Sequence, residues 1–207
     1  CPAWSVMAKK LFPEQANCIS MALTPMTLTA RLIKHHQPGA KVAFIGPCAA
    51  KKLEAMRRTV RSEVDFVLTF EEMAGIFEAR HIDVNTLKED PHGVNDASAD
   101  GRNFAVSGGV AQAVVNVIKE KYPDREIKVA NAEGLSECRK LMMMAKAGKY
   151  NGYLLEGMAC PGGCVAGAGT MQSIKKSSVA VNMYAKQAEH QVATGTHHVA
   201  ELDKLVD

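Results

Sequence analysis

The chain carries, between residues 152 and 169, the sequence Gly152-Tyr153-Leu154-Leu155-Glu156-Gly157-Met158-Ala159-Cys160-Pro161-Gly162-Gly163-Cys164-Val165-Ala166-Gly167-Ala168-Gly169. Its apolar beginning is typical of a buried strand, and the small residues after it are typical of a loop. Ligands of open α/β sheets bind at this end of the strands. Glycine and alanine leave room for a bulky inorganic centre, although a turn with two incidental buried cysteines would show the same spacing.

Strands and helices alternate on the N-terminal side of this stretch. The alternation predicts an α/β fold with one parallel four-stranded sheet flanked by helices. Thr69 and Glu72 match a capping box, which predicts a helix directly after the second strand. A long surface excursion is expected over 81–106. The predicted strands are 41–46, 65–69, 126–130 and 152–156, and the predicted helices are 1–11, 24–36, 48–58, 70–79, 110–121, 135–147, 171–193 and 199–205.

Composition narrows the classes of function. A net charge of +3 over 207 residues is too small to indicate nucleic-acid binding. No apolar run of membrane-spanning length and no signal peptide is visible, so we expect a cytoplasmic protein without a membrane span. Six cysteines without export signals favour metal binding or catalysis over disulfides. Nothing resembles a phosphate loop, a hydrolase nucleophile elbow or a carboxylate dyad.

Two predicted strands end in cysteine-bearing loops. Cys48 follows the first strand, and Cys160 and Cys164 follow the fourth. Cys1 begins a helix that could reach the same edge. Four thiolates suit zinc or an iron-sulfur cluster, and the spacing favours a cluster while leaving both open. Cys18 and Cys138 are interpreted as structural.

Lys51 lies three residues after Cys48, at the expected start of a helix. Two adjacent lysines are most simply solvated. A cation beside a thiolate-bound centre would, however, hold an anionic ligand in place. Glu54 is three residues further, so its carboxylate can meet the lysine on one helix face.

Three ordered motifs resemble those of the iron-iron (iron-only) hydrogenases, in the domain that holds their six-iron cluster, the H-cluster. Residues 1–4 are similar to the end of Thr-Ser-Cys-Cys-Pro-Gly/Ala-Trp, and residues 46–55 are similar to Met-Pro-Cys-x-x-Lys-Lys-x-Glu-Ala. Residues 156–164 are similar to the third motif. The resemblance covers about residues 1–170 and implies one lobe of a two-lobed fold with the cluster in the cleft between the lobes.

The resemblance implies a role for each matched residue. Cys1, Cys48, Cys160 and Cys164 would ligate a 4Fe-4S cubane. Cys164 would also bridge it to a two-iron subsite that carries CO, cyanide and an azadithiolate.

The same resemblance assigns four further side chains. Lys51 would bind one cyanide with Glu54 beside it, Met158 would pack by the bridging CO, and Ser20 aligns with a serine of the proton relay.

Departures from the common motifs indicate the sensory branch of the family. Gly46 stands where catalytic members usually have Met, and Met26 stands where they usually have Gln. The third motif continues as Ala166–Thr170 in place of Gly-Gly-Gly-Gln-Pro. The resulting hypothesis is a low-activity hydrogen sensor that reversibly oxidises H2. The alternatives are a non-catalytic 4Fe-4S protein, as in cluster assembly, and a zinc-stabilised structural domain.

The first residue is Cys1, so we expect that residues 1–170 form a partial H-cluster domain without its first lobe, and that residues 171–207 form a C-terminal helical segment. The isolated fragment is then expected to be incompletely loaded with metal and inactive. The expected partners are H2 and protons, a ferredoxin-type electron donor or internal iron-sulfur relay, the missing N-terminal lobe and a downstream sensor domain.

Overall fold

The computed structural model describes residues 1–88, 90 and 96–202. Short 3-10 turns connect several of its elements, at Pro13–Cys18, Val84–Thr86, Cys164–Ala166 and Ala193–Gly195. The strands are β1 (Ala43–Gly46), β2 (Phe66–Thr69), β3 (Lys128–Glu133) and β4 (Tyr153–Met158). The helices are α1 (Pro2–Leu11), α2 (Pro25–His36), α3 (Ala50–Met56), α4 (Phe70–Ala79), α5 (Ala99–Asn103), α6 (Gly109–Lys121), α7 (Leu135–Lys146), α8 (Ile174–Lys186) and α9 (Val199–Leu202).

The strands are parallel and helices pack around them, which confirms the predicted α/β class. The expected single four-stranded sheet is instead two separate pairs: β1 lies beside β2, and β3 lies beside β4. Alternation of strands and helices predicts parallel neighbours, but it does not predict which edges meet. Helix α1 contacts α3, which packs on β2 of the first pair, and α7, which packs on both strands of the second pair.

The predicted capping box is confirmed at the junction of β2 and α4. The Glu72 backbone N–H donates to Thr69 Oγ1 at 3.2 Å, and the Thr69 backbone N–H donates to Glu72 Oε2 at 2.8 Å. Two N–H groups that would otherwise lack partners at the helix start are therefore satisfied reciprocally. Lys52 of α3 forms an ion pair with Glu72, which links the two helices that follow β1 and β2.

The core consists of small clusters in which aliphatic side chains outnumber aromatic ones. One cluster contains Ala8, Phe12 and Met142, and Trp4 packs against it. Met142 is therefore a core residue, where its flexible side chain can fill irregular space. This cluster joins α1 to α7 and so holds the N-terminal helix beside the β3–β4 pair.

The C-terminal segment is helical, with shorter helices than predicted. It packs on α5, where the Ala99 N–H donates to the carbonyl oxygen of His190 at 2.8 Å and the Asp100 N–H to that of Gln191 at 3.1 Å. The predicted helix over 171–193 is confined to α8. Residues 203–205 of the last predicted helix lie outside the described residues, and the domain boundary at 170 stays a prediction. Across the described residues, none of the helices combines the length and apolar character that a bilayer crossing requires.

Asp65 anchors the start of the β1–β2 pair. Its carboxylate accepts from the Val42 backbone N–H at 2.9 Å and pairs with Lys34 at 2.9 Å and Lys41 at 3.1 Å. The Val42 bond and then the two lysines hold the pKa of this carboxyl well below its usual range. Because the pKa is lowered in the folded state, the stabilisation is present above the unfolded pKa of about 3.9 and is lost as the pH falls below it.

We therefore expect Asp65→Asn to lower the free energy of unfolding at pH 6, and the difference from wild type to shrink between pH 5 and pH 2. Urea unfolding of both proteins across this range measures it. A difference that stays constant with pH would contradict the assigned role of the charge.

Candidate metal centre

Four cysteines from three segments of the chain are placed by the ends of β1 and β4 and by the start of α1. Cys48 lies two residues beyond Gly46, the last residue of β1. Cys160 and Cys164 follow the end of β4. Cys1 directly precedes α1. The site that was predicted at one edge of a single sheet is therefore built from loops of both strand pairs.

Trp4 holds the start of α1 against β4. A β-carbon on Gly157 would lie 2.1 Å from Trp4 Nε1, so only glycine permits this approach. The indole N–H is buried and has no hydrogen-bond partner among the described residues. Because Cys1 is three residues before Trp4, the contact places it close to the loop that follows β4.

Mutual electrostatic effects indicate that Cys48, Cys160 and Cys164 lie near one another and near the amino group of Cys1. Burial raises the pKa of the Cys160 thiol, and nearby Cys48 raises it further. Burial, Cys48 and Cys160 raise the pKa of the Cys164 thiol, while the amino group of Cys1 and the Lys51 ammonium lower it. Such influences act over short range, so the predicted ligands share one site with the predicted lysine.

The spacing of the thiols does not suit a single ion. In a tetrahedral zinc site with Zn–S bonds of about 2.3 Å, the sulfurs lie about 3.8 Å apart. Over residues 1–88, 90 and 96–202, no three cysteine sulfurs lie within 4.8 Å of one another. A cluster of several iron atoms holds its ligands further apart, and the donor set of four thiols suits such a cluster.

Lys51 and Glu54 form a buried ion pair beside the thiols. Lys51 Nζ donates to Glu54 Oε2 at 2.7 Å, and Thr24 Oγ1 donates to Glu54 Oε1 at 2.9 Å. The two charged side chains are 12% and 7% exposed. Glu54 and Thr24 thus fix the ammonium, which keeps further N–H donors for an anionic ligand. The sequence predicted the pair but not the contribution of Thr24.

The loop between Cys160 and Cys164 is braced by its neighbours. The Ser107 N–H donates to the carbonyl oxygen of Gly162 at 3.1 Å, and the Val165 N–H donates to that of Ala105 at 3.0 Å. The Gly162 N–H donates to Glu133 Oε2 at 2.9 Å. Because of these bonds the position of Cys164 is set by residues 105–107 and by the end of β3.

The tail of the third motif ties the loop after β4 to the β1–β2 pair. The Gly169 N–H donates to the carbonyl oxygen of Pro47 at 2.9 Å. A β-carbon on Gly167 would lie 2.2 Å from the same oxygen, and one on Gly169 would lie 2.4 Å from Thr69 Cβ. The two glycines therefore allow a close approach next to Cys48.

Met158 and Ser20 occupy different settings. Met158 is buried at the end of β4 and is 6% exposed. Ser20 is exposed in the loop before α2, where its hydroxyl accepts from the Ala22 N–H at 3.2 Å. Across the described residues no hydrogen bond joins Ser20 to the cysteines, so the structure does not place it in the four-cysteine group.

The two remaining cysteines lie apart from the site. Cys138 is fully buried in α7, and its thiol donates to the carbonyl oxygens of Ala132 and Met158, at 3.4 Å each. Burial raises the pKa of this thiol. Cys18 is exposed at the end of the 3-10 turn Pro13–Cys18. A structural role for Cys138 agrees with its surroundings.

Glu156 is a residue that the sequence did not single out. It lies in β4, is 7% exposed, and accepts from the backbone N–H groups of Gly108 and Ala111, at 2.6 Å each. A carboxylate at a helix N-terminus satisfies otherwise unpaired donors and is favoured by the helix dipole. The sequence signal for this role is that α6 has Gly108 at its N-cap position and no Ser, Thr, Asp or Asn there. A helix start of this kind needs an acceptor from elsewhere in the chain.

We expect Glu156→Gln to lower the free energy of unfolding by about 1–3 kcal/mol, because the amide can replace only one of the two acceptor oxygens in a buried place. Glu133→Gln is the matched control, since Glu133 accepts one N–H at an exposed site and should cost less. Urea unfolding of both variants measures the difference. Equal losses of free energy in both variants would show that the buried Glu156 carboxylate stabilises the fold no more than the exposed Glu133 carboxylate does.

Comparison with known proteins agrees with the motifs. The family described as "Iron only hydrogenase large subunit, C-terminal domain" matches residues 1–168. The periplasmic [Fe] hydrogenase large subunit of Nitratidesulfovibrio vulgaris is 29% identical over 82% of this chain and 50% of its own length. The nuclear prelamin A recognition factor of Xenopus laevis is 24% identical over 84% of this chain and 48% of its own length. The chain spans about half the length of these curated relatives.

Solved structures share the fold. The [FeFe]-hydrogenase HydA(deltaEFG), whose structure reports stepwise H-cluster assembly, has a TM-score of 0.76 at 22% identity, over all of this chain and 70% of its own. [FeFe]-hydrogenase HydA1 from Chlamydomonas reinhardtii also has a TM-score of 0.76, at 21% identity over the same shares. The matched family model covers most of the chain and includes all four clustered cysteines. The chain therefore belongs to the iron-only hydrogenase large-subunit family, of which it carries the C-terminal domain.

Proposed function

We propose that the chain is the H-cluster domain of an iron-iron hydrogenase that acts as a low-activity hydrogen sensor. Cys1, Cys48, Cys160 and Cys164 would hold a 4Fe-4S cubane, and Cys164 would also hold the two-iron subsite. The observation that carries the proposal is that Cys48, Cys160, the amino group of Cys1 and the largely buried Lys51 all lie near Cys164. When bound, the two-iron subsite with its CO, cyanide and azadithiolate supplies the reversible oxidation of H2 to protons and electrons.

The chain's own residues hold and shape the site. Lys51 donates to an anionic ligand, and Glu54 fixes the direction of its ammonium. Met158 provides a buried apolar wall that excludes water. Ser20 lies in an exposed loop, where it can exchange protons with solvent, and we keep it as a member of the proton relay.

The surroundings of Gly46 support a sensor rather than a fast catalyst. A β-carbon on Gly46 would lie 2.8 Å from two carbons of the Phe44 ring, so this ring occupies the space that a larger residue at 46 would need. Lys51 Nζ lies 5.9 Å from the centre of the same ring. The departure from Met therefore changes what surrounds the lysine, and residues around ligands tune a metal centre.

A non-catalytic 4Fe-4S protein is the second candidate. It is supported by similarity to the nuclear prelamin A recognition factor and to the cytosolic Fe-S cluster assembly factor NAR1 of Kluyveromyces lactis, which is 26% identical over 61% of this chain. The buried pair of Lys51 and Glu54 favours the hydrogenase, because a cubane held by four thiolates does not require a buried ammonium beside it.

Infrared spectroscopy of the matured full-length protein separates the candidates. We expect bands from bound CO and cyanide, together with slow H2 turnover. Iron-sulfur absorbance near about 400 nm without these bands would favour the non-catalytic protein. Fast reversible turnover would contradict the sensor while retaining the hydrogenase.

The partners follow from the exposed surface and the proposed chemistry. Leu53, Met56 and Phe66 are 68%, 79% and 58% exposed, and an apolar surface of this kind fits a preceding lobe of the same protein. Electrons would pass to a ferredoxin-type protein or an internal iron-sulfur relay, and a downstream sensor domain would carry the output. We place the protein in the cytoplasm.

A further inference from the structure

Asp96, His197 and His198 form a second group of metal-ligating side chains that shares no residue with the four-cysteine site. One ligand atom from each of the three lies within 4.8 Å of the others. The two imidazole rings have centroids 3.9 Å apart at an angle of 41°. Two imidazoles and one carboxylate are the donor set of many zinc sites with an open fourth position.

The distances fit ligands of one ion better than a hydrogen bond. His198 Nε2 lies 3.6 Å from Asp96 Oδ2, beyond the 2.7–3.2 Å range of a normal N–H···O bond. Around a tetrahedral Zn²⁺ with bonds of about 2.0–2.2 Å, an imidazole nitrogen and a carboxylate oxygen lie about 3.4 Å apart. A small adjustment would let both atoms contact the same ion.

The other nitrogen of His198 faces a carboxylate. His198 Nδ1 lies 3.5 Å from Glu201 Oε2, and that oxygen lies 3.8 Å from His36 Nε2. Metal-ligating histidines commonly direct their second nitrogen to a carboxylate, which fixes the ring and raises its basicity. A small closure of this contact would make Glu201 a positioning residue that orients His198 toward the ion.

The group lies between two segments of the chain, so an ion bound there would cross-link them. Asp96 lies three residues before α5, and the histidines lie just after the 3-10 turn Ala193–Gly195. That turn is held to α6 by a hydrogen bond from Thr194 to Glu120. An ion between Asp96 and the histidines would fasten residues 196–202 to the segment that leads into α5.

We propose that Asp96, His197 and His198 bind one Zn²⁺ ion, with water as the fourth ligand, and that this ion fastens the C-terminal segment to the domain. The site is separate from the proposed H-cluster and does not depend on it. Nitrogen and oxygen donors without thiolate distinguish it chemically from the cysteine site.

Titration of the whole chain with Co²⁺ tests the proposal, because cobalt substitutes for zinc and reports its ligands. Cobalt bound to thiolates gives strong near-ultraviolet charge-transfer bands, whereas cobalt bound to imidazole and carboxylate gives only weak visible bands. We expect one equivalent of the second kind, displaced by Zn²⁺. His197→Ala, His198→Ala and Asp96→Asn should each abolish these weak bands and leave any thiolate bands unchanged.

Two further variants make the result specific. Glu201→Gln should weaken binding about tenfold, because it removes the charge that orients His198. His81→Asn is the matched control, since it removes an exposed imidazole outside the group and asparagine tolerates the positive φ of 54° at this position. Weak visible bands that survive His198→Ala, or the absence of any cobalt site other than thiolate, would overturn the proposal.

Discussion

Replacing Cys164 by alanine is expected to abolish the infrared bands of bound CO and cyanide in the matured full-length protein. Cys164 is the proposed bridge between the cubane and the two-iron subsite, and it lies at the start of a 3-10 turn whose place is fixed by the Val165–Ala105 hydrogen bond. Cys138 cannot take its role, because its thiol is buried in α7 and bonded to the carbonyl oxygens of Ala132 and Met158. Infrared spectra and absorbance near about 400 nm measure the subsite and the cubane separately.

Cys18→Ala is the matched control for this experiment. Cys18 is exposed on a 3-10 turn between α1 and α2, so its loss should leave the infrared bands and the iron content unchanged. CO and cyanide bands of full intensity in Cys164→Ala would show that Cys164 does not hold the two-iron subsite. Equal losses in both variants would show that the effect is on folding rather than on ligation.

Gly163→Ala is expected to lower the free energy of unfolding by about 3–5 kcal/mol. Gly163 has φ 95° and ψ −160°, a conformation that is essentially restricted to glycine. An added β-carbon would lie 2.6 Å from Ser107 N and 2.8 Å from Ala105 O. Because these are backbone atoms, no side-chain rotation can relieve the overlap, and the loop that carries Cys164 must move.

Gly152→Ala separates the two causes of this loss. Gly152 also has a positive φ, 78°, but nothing lies within 4 Å of an added β-carbon. Its substitution should therefore cost only the conformational strain of about 1–2 kcal/mol. Denaturant unfolding of the two variants gives the difference, and iron content after reconstitution should fall only in Gly163→Ala. Equal costs would contradict the close approach between the loop and residues 105–107.

Local patterns in the sequence were sufficient where one segment determines the structure. The capping box of Thr69 and Glu72 fixes the start of α4 without help from the rest of the chain. The predicted helices over 24–36 and 110–121 likewise agree with α2 and α6 to within one residue at each end. Four strands at the predicted places followed from short apolar runs between turn residues.

Local sequence patterns do not predict features that depend on contacts between distant parts of the chain. The separation into two strand pairs has no local signature, and neither has the close approach of Trp4 to Gly157 that holds α1 against β4. Glu156 likewise appears as an ordinary strand residue until its partners at α6 are known. The candidate site was predicted through motifs, whereas its bracing by Ala105 and Ser107 required the folded chain.

The bond between the Gly169 N–H and the Pro47 carbonyl joins parts of the chain that are more than a hundred residues apart. Cys48 and Cys160 are likewise separated by more than a hundred residues of sequence. Any group bonded to all four thiols would act as a covalent cross-link that closes very long loops, and such closures restrict the unfolded chain strongly. Loss of the inorganic centre would then lower the free energy of unfolding, so that heat resistance would rise with occupancy of the site.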